Sequence, residues 1–582
     1  MSTLPTIRSF LFGLLAVGGA LIAQVWLGSG HVAEALLFYG GAIALFVYAL
    51  RNMGVGWLTP PTDTTPPTRA QSLLTRTRWR RIAGGALLLA GVGFTLVALR
   101  DFHLHEPWTD RAWLLHLAAI GAGLGGIALF TNTRLRSLPD PYPDDPAARM
   151  PMWLVAFLLL LICATGLYLR LFRFDDLPFG VWNDEAENGL QALRLLADPN
   201  FRPVYANSTH APAHYIYLIA AAFELFGVSV QSIRLVSVLM GVGTILGGYL
   251  AGRELFGRVG GLSAAFLFAF SRWDINLSRI GMYNISTPLF ALLTAAFLLR
   301  GIRRRSLAEF GLAGLCLGLG LSFYSAFQLF AAAVGLFGLL LLALEPRLLR
   351  RYWLGLLATL FVALIVLAPV MQFAYDHPEI YFDRTQQTSL FADKEPAQWL
   401  PALAENTWRH LLMFNWQGDP NGRHNLPNAP MLDPVGAALL VLGGALALWR
   451  WREPRWLLLP LWMGTALLGG ILSLGFEAPQ SLRAVGTLPA AYLLAAAVIH
   501  VLWLAWSQEG GRYYPGFFAI VAASLLLPMA IHDSRVYFYD QAETFAVWNN
   551  FSTPETITAR QLQTLDPGTD AYISALFHGH PT

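Results

Sequence analysis

Long apolar runs, each near the roughly 20 residues that cross a bilayer as a helix, recur along almost the whole chain. They predict about fifteen membrane-spanning helices and therefore an all-α polytopic membrane protein. Two long polar stretches, 172–230 and 372–432, interrupt the pattern. The predicted spans are 10–27, 32–50, 82–99, 112–130, 152–171, 231–252, 259–275, 285–300, 307–323, 325–344, 353–371, 433–449, 456–475, 484–506 and 513–531.

The composition supports a membrane protein and excludes several other classes. Hydrophobic residues make up 55% of the chain and charged residues 13%, about half of the roughly 25% usual in soluble domains. The two cysteines, Cys163 and Cys316, lie inside apolar runs, which excludes a disulfide framework and a cysteine-based metal site. No basic patch indicates a nucleic-acid partner, so the lipid bilayer is the expected environment.

The arginines predict which loops face the cytoplasm. Arginines are concentrated in 51–81, 300–305, 347–351 and 450–455, which places these segments inside by the positive-inside rule. The two long loops hold seven acids each and fall outside. This holds only if the apolar piece 213–227 does not cross the membrane, so we predict a juxtamembrane helix there.

The same count places the termini and the compartment. It puts the N-terminus in the cytoplasm and both long loops and the C-terminus on the extracytoplasmic side. A second span follows the first at once, so the first apolar run is expected to be a signal anchor. Arginine outnumbers lysine, with Lys394 the single lysine, and no organelle signal is present, which favours a bacterial plasma (inner) membrane.

Two proline-rich linkers suggest three regions. The linkers, 59–70 and 138–151, lie on the predicted cytoplasmic side. We therefore expect a four-span N-terminal addition at 1–151, a main transmembrane body at 152–531 and an extracytoplasmic tail at 532–582.

The first long loop contains the most informative polar stretch, from Phe179 to Leu196. Leucines at 190, 193 and 196 predict an amphipathic helix, with Asn183 or Asp184 as its N-cap. Asp184, Glu185 and Glu187 lie at its start, where the helix dipole favours an ionised carboxylate. Such a group could accept a proton from an incoming hydroxyl or amine. The alternative is a capped, solvated acidic turn.

Other polar residues of the predicted outer face are candidates for contacts with a phosphate or an acceptor. Cationic and hydroxyl side chains there could donate hydrogen bonds to a phosphate at the interface. Interfacial anchoring and snorkelling are the alternative reading of the same residues. The phosphate candidates are His210, Tyr215, Arg279, Arg423, His424 and Arg483, and the acceptor or positioning candidates are Glu187, Asn284 and Asp376.

The order of these motifs resembles the GT-C superfamily of membrane glycosyltransferases, most closely the protein O-mannosyltransferases and aminoarabinose lipid A transferases (family 39-like). An Asp-Glu pair opens a helix after a span, as at Asp184-Glu185. A Pro/Tyr-rich piece follows at Pro212–Tyr217, then an arginine at Ser232-Ile-Arg-Leu-Val-Ser237 and a Ser-Arg pair at Ser278-Arg279. The resemblance covers roughly 152–510 and implies a GT-C-like helical bundle with juxtamembrane helices in both long loops.

The resemblance also implies a reaction. A sugar passes from a polyprenyl-phosphate donor to a lipid, glycan or protein acceptor on the outer face, with inversion at the sugar carbon. Asp184 would be the general base, Glu185 would position the acceptor or tune Asp184, and arginines would hold the phosphate.

Asn284 stands where members of the superfamily often carry an acid. We therefore expect no obligatory metal, and a divalent ion shared between two loops stays open as an alternative.

A polytopic lipid or sugar transporter or flippase is the competing interpretation. Such folds often show internal repeats and ionisable residues at mid-membrane. The chain shows no repeat, and its polar residues are concentrated in the outer loops. An accessory membrane protein without catalysis would need neither the acidic pair nor the arginines on the same face. These features favour the transferase.

Overall fold

The computed structural model of the protein describes residues 5–51, 77–104, 109–131, 146–344, 346–392, 394–507, 515–566 and 568–572. The linker 59–70 and most of the linker 138–151 lie outside the described residues. The helices are α1 (Pro5–Gly28), α2 (Val32–Leu50), α3 (Arg78–Leu104), α4 (Thr109–Phe130), α5 (Met152–Leu171), α6 (Asn183–Ala197), α7 (His214–Phe226), α8 (Val230–Phe270), α9 (Arg272–Ser278), α10 (Ser286–Arg304), α11 (Leu307–Leu321), α12 (Phe327–Leu344), α13 (Pro346–Asp376), α14 (Pro378–Gln387), α15 (Pro396–Leu412), α16 (Pro434–Trp449), α17 (Pro454–Ile471), α18 (Thr487–Ser507), α19 (Pro515–Arg535), α20 (Phe545–Asn550) and α21 (Thr553–Leu562).

Short elements complete the chain. Two strands, β1 (Tyr205–Ala206) and β2 (Ala211–Pro212), pair antiparallel in the first long loop. A π-helical turn covers Val536–Gln541. The short 3₁₀ turns are Pro146–Arg149, Asn207–Thr209, Tyr283–Ile285 and Gly475–Glu477.

The predicted spans are helices in the structure, with one correction. Among the described residues, 11 helices are long and apolar enough to cross a membrane. Runs 231–252 and 259–275 were predicted as separate spans, but α8 continues through both as far as residue 270, bending where Phe256 and Gly257 leave helical geometry. Counting its two halves separately, and adding α11, α16 and α17, recovers the predicted number. The protein is thus a multi-pass, all-α membrane protein.

The apolar piece 213–227 forms α7, which has 13 residues. A helix needs roughly 20 residues to cross the hydrocarbon core, and α7 falls further short of that length than α11 (15 residues) or α16 (16 residues), the shortest helices counted as spans. This agrees with the predicted juxtamembrane helix.

The bundle is built around α8 and α18. Helix α18 is buried along nearly its whole length, and α8 packs against α5, α10 and α18. The N-terminal helices form two hairpins that pack in different places: α1 and α2 against α16, and α3 and α4 against α13. The division at residue 151 stays a prediction.

A buried ion pair joins α5 to α9 at the base of the first long loop. The side chains of Arg170 and Asp274 are both fully buried and form a salt bridge. Arg170 also donates to the Gly166, Phe268 and Ala269 carbonyls. These contacts hold the end of α5 against the junction of α8 and α9.

Asp274→Asn should lower the free energy of unfolding by about 3–5 kcal/mol, because it leaves the Arg170 charge buried without its counter-ion. Denaturation in mixed micelles measures the loss. Asp540→Asn is the control, because its ion pair with Arg535 is exposed and should contribute at most about 1 kcal/mol. Equal losses in the two variants would contradict this interpretation of the buried pair.

Candidate functional site

Helix α6 presents Asp184 in its first turn. The N-cap is Trp182, with extended backbone and no side-chain capping bond, so the prediction of Asn183 or Asp184 as N-cap was wrong. The Asp184 carboxylate is half-buried and makes no hydrogen bond or ion pair with any residue that the structure describes. It is therefore available to a ligand.

Glu185 differs from its neighbour in every contact. Its side chain is fully buried, and its two oxygens lie 2.7 and 2.9 Å from Nε and Nη2 of Arg234. It also accepts a hydrogen bond of 2.8 Å from the Gly281 N–H. Because both oxygens are occupied inside the protein, the prediction that Glu185 positions the acceptor is corrected as far as direct contact is concerned. The alternative, that Glu185 tunes Asp184, stays a prediction.

Arg234 was not predicted as a site residue. Besides Glu185, it donates to the carbonyls of Pro178 and Gly180, at 2.6 and 2.7 Å. It thereby ties α8 to the segment that leads into α6. An arginine within an apolar span is the signal that could have identified it, because such residues are costly and usually functional.

Arg279 was predicted to bind a phosphate, but the structure assigns it a different task. The residue is fully buried, and each N–H of its guanidinium is used by backbone carbonyls. Burial lowers its pKa, which the nearby Tyr537 opposes. Arg279 therefore fixes the start of the first long loop. The acceptors are the carbonyls of Leu169, Arg170, Arg173 and Leu177.

Two other phosphate candidates are also engaged inside the protein. The Tyr215 hydroxyl is buried and lies 2.7 Å from Ser237 Oγ. His424 is buried, with Nδ1 3.0 Å from Asp419 Oδ2. The prediction that Tyr215 holds a phosphate is corrected, because its buried hydroxyl already has a partner. Only Nδ1 of His424 is engaged by Asp419, so a phosphate contact of His424 stays a prediction.

Asp419 ties the second long loop to the turn before α18. It accepts hydrogen bonds from the N–H and hydroxyl of Ser481, at 2.7 and 2.8 Å. Burial pushes its pKa upward, but the contacts with His424, Asn421 and Ser481 outweigh burial and hold the pKa below its usual range. The ionised carboxylate therefore stabilises this part of the loop. It contacts His424 directly and reaches Arg423 through Asn421.

The acceptor and positioning candidates are dispersed. Asp376 lies at the end of α13, and its Oδ2 is 3.4 Å from His103 Nδ1. It makes no such contact with Asp184. Glu187 accepts from Gln191, which also donates to Ser208. The prediction that Asp376 and Glu187 act on an acceptor gains no support from these contacts.

His210 and Asn284 lie nearer to the tyrosines of the site. His210 is half-buried, with a left-handed backbone (φ 49°) between β1 and β2. The backbone carbonyl of the neighbouring Thr209 accepts a hydrogen bond from the Tyr283 hydroxyl. Asn284 is buried and hydrogen bonded to Tyr324. Both remain predictions.

Arg423 is the cation that the fold brings to Asp184. Its guanidinium lies 3.4 Å from the ring centroid of Trp182, the residue two before Asp184. Burial lowers the pKa of Arg423, and the negative charges of Asp184, Glu477 and Asp419 oppose that effect. A half-buried arginine beside an unpaired carboxylate is an arrangement that can accept an anion and a proton donor side by side.

Tyrosines and further arginines surround this pair. Burial raises the pKa of Tyr324, with opposing contributions from Arg483 and Arg384 and a reinforcing one from Asp184. Nη1 of Arg483 is 3.1 Å from Glu477 Oε2. Arg384, on α14, is exposed, and its guanidinium has no hydrogen-bond or ion-pair partner in the described part of the chain.

Trp182, Tyr324 and Arg384 were missed from the sequence. Each lies on a different loop or helix, and only the fold brings them together. Within the described ranges, no three His, Cys, Asp or Glu side chains are grouped so that they could hold a metal ion.

A family comparison supports the resemblance seen in the sequence. Residues 209–373 match the model of a family described as dolichyl-phosphate-mannose-protein mannosyltransferase. This segment includes Arg234, Arg279 and Tyr324 but ends before Arg423 and begins after Asp184. The chain is thus similar to GT-C glycosyltransferases, as predicted. No curated protein gave a match.

Three solved structures of two proteins show a limited similarity to this chain. One is the Archaeoglobus fulgidus oligosaccharyltransferase in complex with Zn and sulfate, at 16% identity and TM-score 0.45, covering 66% of this chain and 53% of that one. The chain therefore spans about half the length of that protein. The other is ArnT from Cupriavidus metallidurans, bound to undecaprenyl phosphate and in the apo state, each at 15% identity and TM-score 0.45. These cover 72% of this chain, and 82% and 81% of ArnT respectively.

Neutralising the two adjacent acids of α6 should have very different effects on the free energy of unfolding. Glu185→Gln should cost about 3–5 kcal/mol in the free energy of unfolding, because Arg234 would lose its buried counter-ion. Asp184→Asn should change it by less than about 0.5 kcal/mol, because the carboxylate has no partner to lose. Denaturation of both variants in the same micelles measures the difference, and a larger loss for Asp184→Asn would overturn the assignment of the two residues.

Proposed function

We propose that the protein is a glycosyltransferase that moves a sugar from a polyprenyl-phosphate donor to an acceptor at the membrane surface. The observation that carries the proposal is the Asp184 carboxylate, which has no hydrogen-bond or ion-pair partner among the described residues and lies two residues after the indole that Arg423 covers. The match over residues 209–373 supports the reaction class. ArnT from Cupriavidus metallidurans, to which the chain is similar, was solved bound to undecaprenyl phosphate, which is in keeping with this donor.

In this mechanism Asp184 acts as the general base. The acceptor hydroxyl or amine attacks the anomeric carbon of the donor while Asp184 takes its proton. The bond from that carbon to the phosphate oxygen breaks, and polyprenyl phosphate leaves as an anion that needs no proton. A single displacement of this kind inverts the configuration at the anomeric carbon.

The cations act on the leaving group. Negative charge builds up on the phosphate as the bond breaks, and nearby guanidinium groups stabilise it. Arg423 and Arg384 are the first candidates because their terminal N–H groups have no ion-pair partner among the described residues. Arg483 would share its charge between Glu477 and the phosphate.

The location of the reaction follows from the topology. The first and second long loops meet where Arg423 covers Trp182, so they share one face of the bundle. By the positive-inside rule that face would be extracytoplasmic, and the scarcity of lysine favours a bacterial plasma membrane. The acceptor, whether lipid, glycan or protein, would approach from that side.

Asp184→Asn should lower kcat by about 10²–10⁴-fold while the purified protein still binds polyprenyl phosphate, because the change removes the proton acceptor but no phosphate contact. Release of polyprenyl phosphate from a panel of synthetic polyprenyl-phosphate sugars, with and without acceptors, measures the rate. Glu224→Gln, an exposed acid of α7, is the matched control and should turn over as the wild type does. Equal rates for Asp184→Asn and the control would show that Asp184 is only a residue of the first helical turn.

We also propose that the reaction needs no metal ion. Asp184 has only one adjacent carboxylate, and Glu185 is already neutralised by Arg234. Turnover should therefore persist after dialysis against EDTA, measured with the same donor panel. A loss that added Mg²⁺ or Mn²⁺ restores would contradict this part of the mechanism.

A further inference from the structure

The segment after the last span, residues 536–562, packs directly on the candidate site. It comprises the π-helical turn Val536–Gln541 and helices α20 and α21. It lies outside the matched region 209–373. We propose that this segment is a structural part of the active site, which holds Trp182 and thereby sets the position of Arg423 relative to Asp184. The proposal rests on the proposed function and assigns Thr556 as a positioning residue.

The segment fixes the backbone that leads into α6. The Val181 N–H donates a hydrogen bond of 2.9 Å to Thr556 Oγ1. At Gly180, an added Cβ would lie 2.1 Å from the Phe551 carbonyl oxygen, so only glycine allows this approach. The Arg560 guanidinium lies 4.4 Å from the ring centroid of Phe179. Residues 179–181 are therefore held on one side by α21 and the turn before it.

The segment also surrounds the indole that supports Arg423. Trp182 is buried in a small apolar cluster with Ile280, Val547 and Phe551, two of which belong to the segment. The Arg423 guanidinium lies over the same indole at 3.4 Å. Because an arginine over an aromatic ring gains from a fixed ring position, the packing of Val547 and Phe551 helps determine where the cation lies.

A second set of contacts reaches the backbone of the second long loop. An added Cβ at Gly422 would lie 2.8 Å from the Val547 Cα, so α20 directly adjoins the residue before Arg423. Gln541 donates to Asn276 Oδ1 at 3.0 Å, and Asn276 donates to the Arg423 carbonyl at 2.8 Å. The segment thus contacts the chain immediately before both Asp184 and Arg423.

These contacts give the segment a specific task. Trp182 is the N-cap of the helix that carries Asp184, and its ring is the surface on which Arg423 lies. A shift of this residue would change the distance from the base to the phosphate-binding cation. Small displacements of this kind reduce rates substantially, because the reacting groups must be held in a near-attack geometry.

The test compares three variants of α21. Thr556→Val keeps the shape but removes the acceptor for Val181, Thr556→Ser restores the hydroxyl, and Thr558→Val removes a hydroxyl that bonds only within the helix, to the Pro554 carbonyl. We expect Thr556→Val to lower kcat at least fivefold with less change in KM for the donor, because the displacement acts on the near-attack geometry. Thr556→Ser and Thr558→Val should stay within twofold of wild type. Thr556→Val kinetics equal to those of Thr558→Val would overturn the proposal.

A measurement without turnover separates this proposal from the proposed function. Trp182→Leu, Phe551→Ala and the double variant are compared by thermal unfolding of the full chain. If the segment holds Trp182, the double variant should unfold no earlier than the less stable single variant, because both changes remove the same contact. Additive decreases in Tm would refute the contact. If the wild-type protein neither binds nor consumes any polyprenyl-phosphate sugar, the proposed function is refuted. Non-additive Tm values would then still establish the packing of the segment on Trp182, but not its part in an active site.

Discussion

The ion pair between Glu185 and Arg234 is the interaction on which the site depends. Removing both charges from water is costly, and the bidentate geometry, the Gly281 N–H and the carbonyls of Pro178 and Gly180 offset that cost. The pair fixes α6 against α8, and the preceding carboxylate, Asp184, has no partner among the residues that the structure describes. Two acids adjacent in sequence thus have opposite tasks because they face different sides of one helix turn.

The arginines of this face fall into two groups that follow from burial. Arg170, Arg234 and Arg279 are buried and satisfied by carboxylates and backbone carbonyls, so they stabilise the loops. Arg384, Arg423 and Arg483 are half-buried or exposed around Tyr324 and Asp184. Arginine suits both tasks, because its planar guanidinium can satisfy several carbonyls or bind a phosphate with two parallel hydrogen bonds.

Most of the fold could be predicted from the sequence, since apolar runs and arginine-rich turns depend on local composition. Helix α6 and the place of Asp184 in its first turn also follow from local pattern, although the N-cap does not. The partners could not be predicted, because Arg423 meets Trp182 and Thr556 meets Val181 across hundreds of residues. Arg279 shows the same limit, because nothing local distinguishes an arginine that faces a phosphate from one enclosed by carbonyls.

A single displacement with Asp184 as the base is tested most directly by the stereochemistry of the product. A donor of defined anomeric configuration is converted by the wild-type protein, and the anomeric proton of the product is observed by NMR. Inversion is expected, because the acceptor attacks opposite the departing phosphate. Retention would contradict the single displacement, because a covalent glycosyl intermediate would then be required and Asp184 could not act only as a base.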